Sequence, residues 1–234
     1  MAYFTAALAL PEQPPKATVD SILQMYVQAL GGEAAIAAIH TREIHGTMHG
    51  SAAPMRVTCY WQGPDKAAEI RTSLFEKPVQ MGFDGAEMWV INQHAKHSRK
   101  KPNREMREEL EVTTNPLRYV RMKTLYPTLQ LAPSEDLESK AMDVLAAPND
   151  NGVTKFYFDT YSHLLVYIKE TGITSTYYPR IIRLREYNKV DGIEFPFRIA
   201  FTAAEPDATT QEIRISSLKQ NVQIDPARFK RPVK

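Results

Sequence analysis

From Arg42 onward the apolar residues recur at every second position, and that period fixes most of the chain as strands half-buried on one side. Ile44, Gly46 and Met48 alternate with Glu43, His45, Thr47 and His49. Met55, Val57, Cys59 and Trp61 alternate with Arg56, Thr58, Tyr60 and Gln62. Ala68, Ile70, Thr72 and Leu74 alternate with Glu69, Arg71 and Ser73. Val79, Met81 and Phe83 lead into Asp84-Gly85, a hairpin turn pair, and Met88 to Ile91 closes a first meander. The pattern returns at Phe156 and Phe158, then at Leu164, Val166 and Ile168, and at Ile182 and Leu184. It continues at Ile193, Phe195, Phe197, Ile199 and Phe201, and ends at Ile213 and Ile215.

Two other regions read as helical or irregular. Thr18 or Asp20 can cap a helix whose apolar face is Val19, Ile22, Leu23, Tyr26, Val27 and Leu30, and Gly31-Gly32 stops it. Glu33 to Ile39 predicts a short Ala-rich helix. In the middle, Asn103 to Val112 and Asn115 to Leu125 read as helices. Lys96 to Asn103 reads as a basic polar stretch, and Pro127 to Glu138 as a loop. Segregated strands and helices predict an α+β fold: one large curled antiparallel sheet of about ten strands, with the helices covering its concave apolar face. Each strand then offers one apolar face to that interior. Residues 18–234 form a single domain on this reading.

The net charge of +2 is too small to argue for nucleic acid, and no run approaches the length of a membrane-spanning helix. Cys59 is the one cysteine, which excludes an intramolecular disulfide and a cysteine-based zinc cluster. Tyr3 to Leu10 is apolar, with Ala7-Leu8-Ala9 in the small-x-small form of a cleavage site, so residues 1–17 are expected to be a signal remnant or a flexible tail.

The expected apolar lining is Met48, Met55, Val57, Trp61, Ile70, Met81, Phe83, Met88, Trp89, Phe156, Phe158, Phe195 and Phe197. Methionine adapts to irregular shapes, so four of them beside Trp61 and Phe83 suit a pliable cavity for acyl chains as well as an ordinary core. Lys96, Arg99, Lys100, Lys101 and Arg104 form a basic segment suited to anionic head groups or an acidic partner, or simply to water. His45 and His49 share a strand face with Glu43 nearby, which is weak as a metal site. No nucleophile elbow, phosphate loop or HExxH is present, and the expectation is neither metal, cofactor nor catalysis.

Several of these stretches together resemble the bacterial outer-membrane lipoprotein-sorting proteins of the LolA/LolB-like superfamily. They are Tyr26 to Ile39 followed by Glu43-Ile-His-Gly-Thr-Met48, and Gly82-Phe-Asp-Gly-Ala-Glu-Met-Trp-Val-Ile-Asn92 with one spacer fewer than DG-x-x-x-W. Tyr187 to Phe197 and Asn221 to Phe229 complete the order. The resemblance implies a half-barrel wrapped on helices, a soluble periplasmic protein, and binding of lipid or lipoprotein acyl chains without catalysis. With no lipid-anchor cysteine, the membrane-anchored receptor type is not implied. An envelope protein or membrane is the implied partner. An envelope interaction module without a ligand and a metal-dependent hydrolase are the competing readings.

Overall fold

The period-two segments assemble into one sheet. The computed structural model describes residues 17–50, 53–75, 77–91, 96–99, 104–149, 152–171, 180–203 and 210–232. Six strands come first: β1 (Thr41–His49), β2 (Met55–Gln62), β3 (Lys66–Thr72), β4 (Val79–Asp84), β5 (Met88–Ile91) and β6 (Lys96–Arg99). After the central helices come β7 (Gln130–Leu137), β8 (Lys140–Asn149), β9 (Gly152–Asp159) and β10 (Leu165–Glu170). The last three are β11 (Arg180–Val190), β12 (Ile193–Ala203) and β13 (Gln211–Gln220).

All thirteen strands share one open sheet in the order β6-β5-β4-β3-β2-β1-β13-β12-β11-β10-β9-β8-β7, and every ladder is antiparallel. β1 and β13 pair at its centre, and a meander runs outward from each to the edges β6 and β7. A sheet this wide accumulates twist and curls.

Three strands lie where none was expected. β6 takes up Lys96–Arg99, read above as a polar stretch, because its backbone completes the edge of β5. β7 occupies Gln130–Leu137, read above as a loop. It is an edge strand with a bulge between Ala132 and Glu135, which accommodates Pro133, so its outward face needs no apolar period. β8 carries Met142 and Val144 to one face and Leu145 and Ala147 to the other, so its alternation cancels.

Helix α1 (Val19–Ala29) opens with a capping box in which Ser21 N–H donates to Thr18 Oγ1 at 3.1 Å and Thr18 N–H donates to Ser21 Oγ at 2.9 Å. It ends where Glu194 N–H donates to Leu30 O at 2.9 Å, and Gly31 sits at φ +125° against the Gly192 carbonyl, a place with no room for a Cβ. α2 (Glu33–Ala37) follows. α3 spans Arg104–Thr114, and the expected second central helix is instead a 3-10 turn, Pro116–Arg121, running into α4 (Met122–Leu125). A last 3-10 turn covers Pro226–Phe229.

The core lies between the helices and one face of the sheet. Ile22, Tyr26 and Leu30 of α1, Val112 of α3, and Leu117, Tyr119 and Met122 beyond it join Ile44, Val57, Phe156, Phe158, Ile182, Leu184 and Phe195 in one cluster. Tyr26 meets Phe158 edge-on at 5.3 Å, and Tyr126 meets Phe156 at 4.8 Å. The sheet is not one-sided, however. Tyr60 and Ala68 bury their outer face under Phe229 and Ile224, and Met142, Val144, Tyr157 and Tyr167 form a separate outer cluster.

Candidate functional site

The helical face gathers most of the expected lining. Met48, Val57, Phe156, Phe158 and Phe195 are buried in the main cluster, with Met55, Trp61 and Phe197 packed against it. Met81, Phe83 and Met88 cluster with Ala67 under Leu110 of α3. Two expected members fall on the opposite face. Ile70 packs against Tyr60, Ala68 and Phe229. Trp89 lies over Gly82, where a Cβ would collide with its indole, and its Nε1–H donates to the Phe229 carbonyl at 2.8 Å. The C-terminal turn covers this outer patch, so apolar residues belong on both faces of β3 and β5.

Around its central aromatic rings the described interior is filled by side chains. Phe156 and Phe195 are 0% exposed and Phe158 1%, so no space large enough for a water molecule touches them. Opening it requires the cover to move. Over β2, β3 and β4 that cover is α3, held by Leu110, by Arg107 stacked 4.6 Å from the Phe83 ring centroid, and by the Thr113 hydroxyl donating to Glu69. At its margin Trp61, Phe83, Arg107, Leu110 and Glu111 line a shallow cleft of about 10 Å³, room for a single water.

Three charged residues are buried in this layer, Arg42, Glu69 and Arg118, the last paired with Glu111 at 3.2 Å. Arg42 is 2% exposed, and its guanidinium carbon is 4.8 Å from the Trp61 ring centroid and 5.5 Å from that of Phe195. Nη1 donates to Asn115 Oδ1 at 2.7 Å and Nε to Gln220 Oε1 at 3.3 Å. Among the described residues no carboxylate pairs with it, and burial lowers its pKa to about 9. Glu69 is 1% exposed, bonded to Arg71 and Thr113, with Cys59 Sγ at 3.9 Å. Burial, then the Glu69 charge, pushes the Cys59 thiol well up, which keeps it protonated and unsuited to nucleophilic chemistry. Arg42 shares the parity of Ile44 and Met48, a signal in the sequence that it faces inward. The period of two puts Glu69 on the polar face because Ile70 next to it is apolar; only the Thr113 partner on α3 reveals the reversal.

His45 Nε2 lies 2.8 Å from Glu43 Oε1, and its Nδ1 is 3.3 Å from Thr58 Oγ1. Among the described residues no three His, Cys, Asp or Glu side chains converge as a metal site would need. Of the basic segment, Lys96 and Arg99 bound strand β6 and Arg104 opens α3, whereas Lys100 and Lys101 lie outside the described residues, as do residues 1–16. Among the described residues no helix is long and apolar enough to cross a membrane.

No protein-family model matches the sequence, and no curated protein is similar to it in sequence. The fold is nonetheless known. A LolA superfamily protein from Nitrosomonas europaea superposes with a TM-score of 0.63 at 12% identity, over 92% of this chain and 99% of that one. A DUF1329 family protein from Desulfovibrio piger gives 0.62 at 13% identity, over 91% and 97%. A domain assigned to outer membrane lipoprotein sorting, from Vibrio parahaemolyticus, gives 0.60 at 10% identity, over 90% and 96%. The chain therefore has a LolA-like fold.

Proposed function

We propose that this protein is a periplasmic, non-catalytic carrier of lipid or of lipoprotein acyl chains. The observation that carries the reading is the apolar helical face, built of two clusters, one with Met48, Met55 and Trp61 at the sheet centre and one with Met81, Phe83 and Met88 under α3, which meet at the cleft lined by Trp61 and Phe83. Methionines repack at small cost, so this surface can close on itself when empty and reshape around a chain. Because the interior is filled, loading requires α3 to lift from β2, β3 and β4, exposing Ala67, Phe83 and Met88. The fold shared with lipoprotein-sorting proteins supports the same use. The buried Cys59 thiol, held protonated, is unsuited to nucleophilic chemistry, in keeping with a carrier.

The test is to express the chain with a secretion signal, purify it from periplasm, and extract and weigh what it holds. Bound phospholipid or fatty acid, and saturable displacement of a fluorescent fatty acid, are expected. Protein free of lipid that does not bind the probe even with α3 destabilised overturns the reading.

A further inference from the structure

Strands β10 and β11 part company halfway. They pair at Tyr167↔Arg183, Ile168↔Ile182 and Lys169↔Ile181, and the ladder stops there. On its other side β11 stays paired with β12 as far as Val190↔Ile193. Among the described residues no strand therefore lies against Leu184 to Val190 on this side, and of its carbonyls Val190 O accepts from Gln220 Nε2 at 2.8 Å and Glu186 O from Asn188 Nδ2 at 3.0 Å. Both strands are shaped for this parting. β10 has a bulge between Leu165 and Tyr167, and bulges bend the strand that carries them. Glu186 of β11 sits at φ +54°, a conformation a glutamate rarely adopts within a strand.

The gap holds a cavity of about 300 Å³, floored by Met142, Val166, Tyr167, Leu184 and Tyr187. The Tyr187 hydroxyl donates to Leu165 O at 2.6 Å and bridges the diverging backbones. The charges around it balance, Lys140, Arg183 and Arg185 against Glu138, Asp159 and Glu186. Arg185 pairs with Glu138, Glu186 with Arg198 at 3.2 Å, and Asp159 accepts from the N–H groups of Tyr161 and Ser162 at 3.0 and 2.7 Å. Arg183 donates to the Thr202 hydroxyl at 3.3 Å and stacks on the Tyr167 ring. An ionic ligand would find no net charge of opposite sign here. What the gap offers is main-chain hydrogen bonds beside an apolar hole.

We propose that this gap binds an extended, uncharged peptide segment that adds as a strand along Leu184 to Val190 and lodges one large apolar side chain in the cavity. Strand addition draws affinity from the backbone and selectivity from such a hole. Leu184 and Tyr187 also pack in the main core, but no residue of β2, β3, β4 or α3 lines this cavity, so failure of peptide binding leaves the carrier reading untouched and failure of lipid binding leaves this one untouched.

A random dodecapeptide display library selected on the whole protein tests it. Peptides with alternating apolar positions are expected, and amide exchange of residues 184–190 should slow about tenfold on binding the best of them. Two variants guard the assignment. Lys140→Trp, at an exposed position, fills the mouth without touching the core, and Val166→Arg fills the floor. Each should weaken binding about tenfold or more, with the thermal transition of Lys140→Trp unchanged. Selection of no binding peptide, peptides indifferent to Lys140→Trp, or protection elsewhere than 184–190 overturns the proposal. Displacement of the peptide by dodecanoate with protection of the same amides by dodecanoate alone would assign the cavity to a small amphiphile and overturn it too.

Discussion

Arg42 Nη1 donates to Asn115 Oδ1 across 2.7 Å, joining β1 to the turn that follows α3. The same guanidinium reaches Gln220 of β13, whose Nε2–H donates to Val190 O at 2.8 Å. A buried cation thus fastens the helical cover to the centre of the sheet using amide oxygens.

Removing one partner of such a bond costs more than removing both, because the remaining group keeps its desolvation penalty. Asn115→Leu is expected to destabilise the protein by about 2–3 kcal/mol, leaving a buried donor of Arg42 without its acceptor. Adding Arg42→Met to Asn115→Leu should recover part of that loss. Urea unfolding of the two variants checks the order; a double variant less stable than the single one contradicts it.

Gly82 is required by the indole opposite. A methyl at this position lands on the Trp89 ring, so Gly82→Ala must displace the indole and break its bond to the Phe229 carbonyl. The expected cost is about 1–3 kcal/mol, as for other overpacked sites. The C-terminal turn should become a protease site while the helical face stays closed, so limited proteolysis followed by mass measurement should show early loss of the tail.

These two sites show what the sequence could and could not disclose. The period of two exposes a strand face wherever only that face is covered, as with Ile44 and Met48 or Phe156 and Phe158. It fails where both faces are covered. Ala67, Glu69 and Arg71 point toward α3 while Ala68 and Ile70 point toward Phe229, and hydropathy alone chose the wrong side. Glu69 is tolerated inside because Arg71 and Thr113 satisfy it, and Thr113 is remote in sequence. Edge strands fail for another reason. Residues of β7 such as Ser134 and Asp136 face water, where no period is enforced.

Acid should release part of the outer cluster. Glu135 accepts from Lys155 Nζ and, at 2.9 Å, from the Tyr157 hydroxyl. The Lys155 bond, helped by that of Tyr157 and opposed by burial, holds the Glu135 carboxyl below its usual value of 4.5. A carboxylate with a lowered folded pKa contributes fully above its unfolded value, and the contribution disappears as pH falls through the folded one. Glu135→Gln should thus be less stable than the parent at pH 7, and the two urea midpoints should converge as pH drops below about 4. A difference independent of pH would show that the charge contributes nothing.

The carrier reading makes its sharpest demand on Leu110. This residue is 1% exposed and is the α3 side chain that packs with Ala67, Met81, Phe83 and Met88. Leu110→Ala removes that contact at a cost of about 2–5 kcal/mol, much of it local to the seat of α3. Ile182→Ala removes a comparable buried side chain from β11, which α3 does not cover. Its cost, about 2–5 kcal/mol, falls on the same core without loosening the cover. If lifting α3 admits the ligand, Leu110→Ala should take up a fluorescent fatty acid faster than the parent protein, and Ile182→Ala should not. Stopped-flow fluorescence, read beside urea unfolding of both variants, separates the cases. Uptake that rises equally in both would follow global instability and remove α3 as the gate. Uptake that rises with Leu110→Ala alone ties loading to the helix that closes the methionine-lined face.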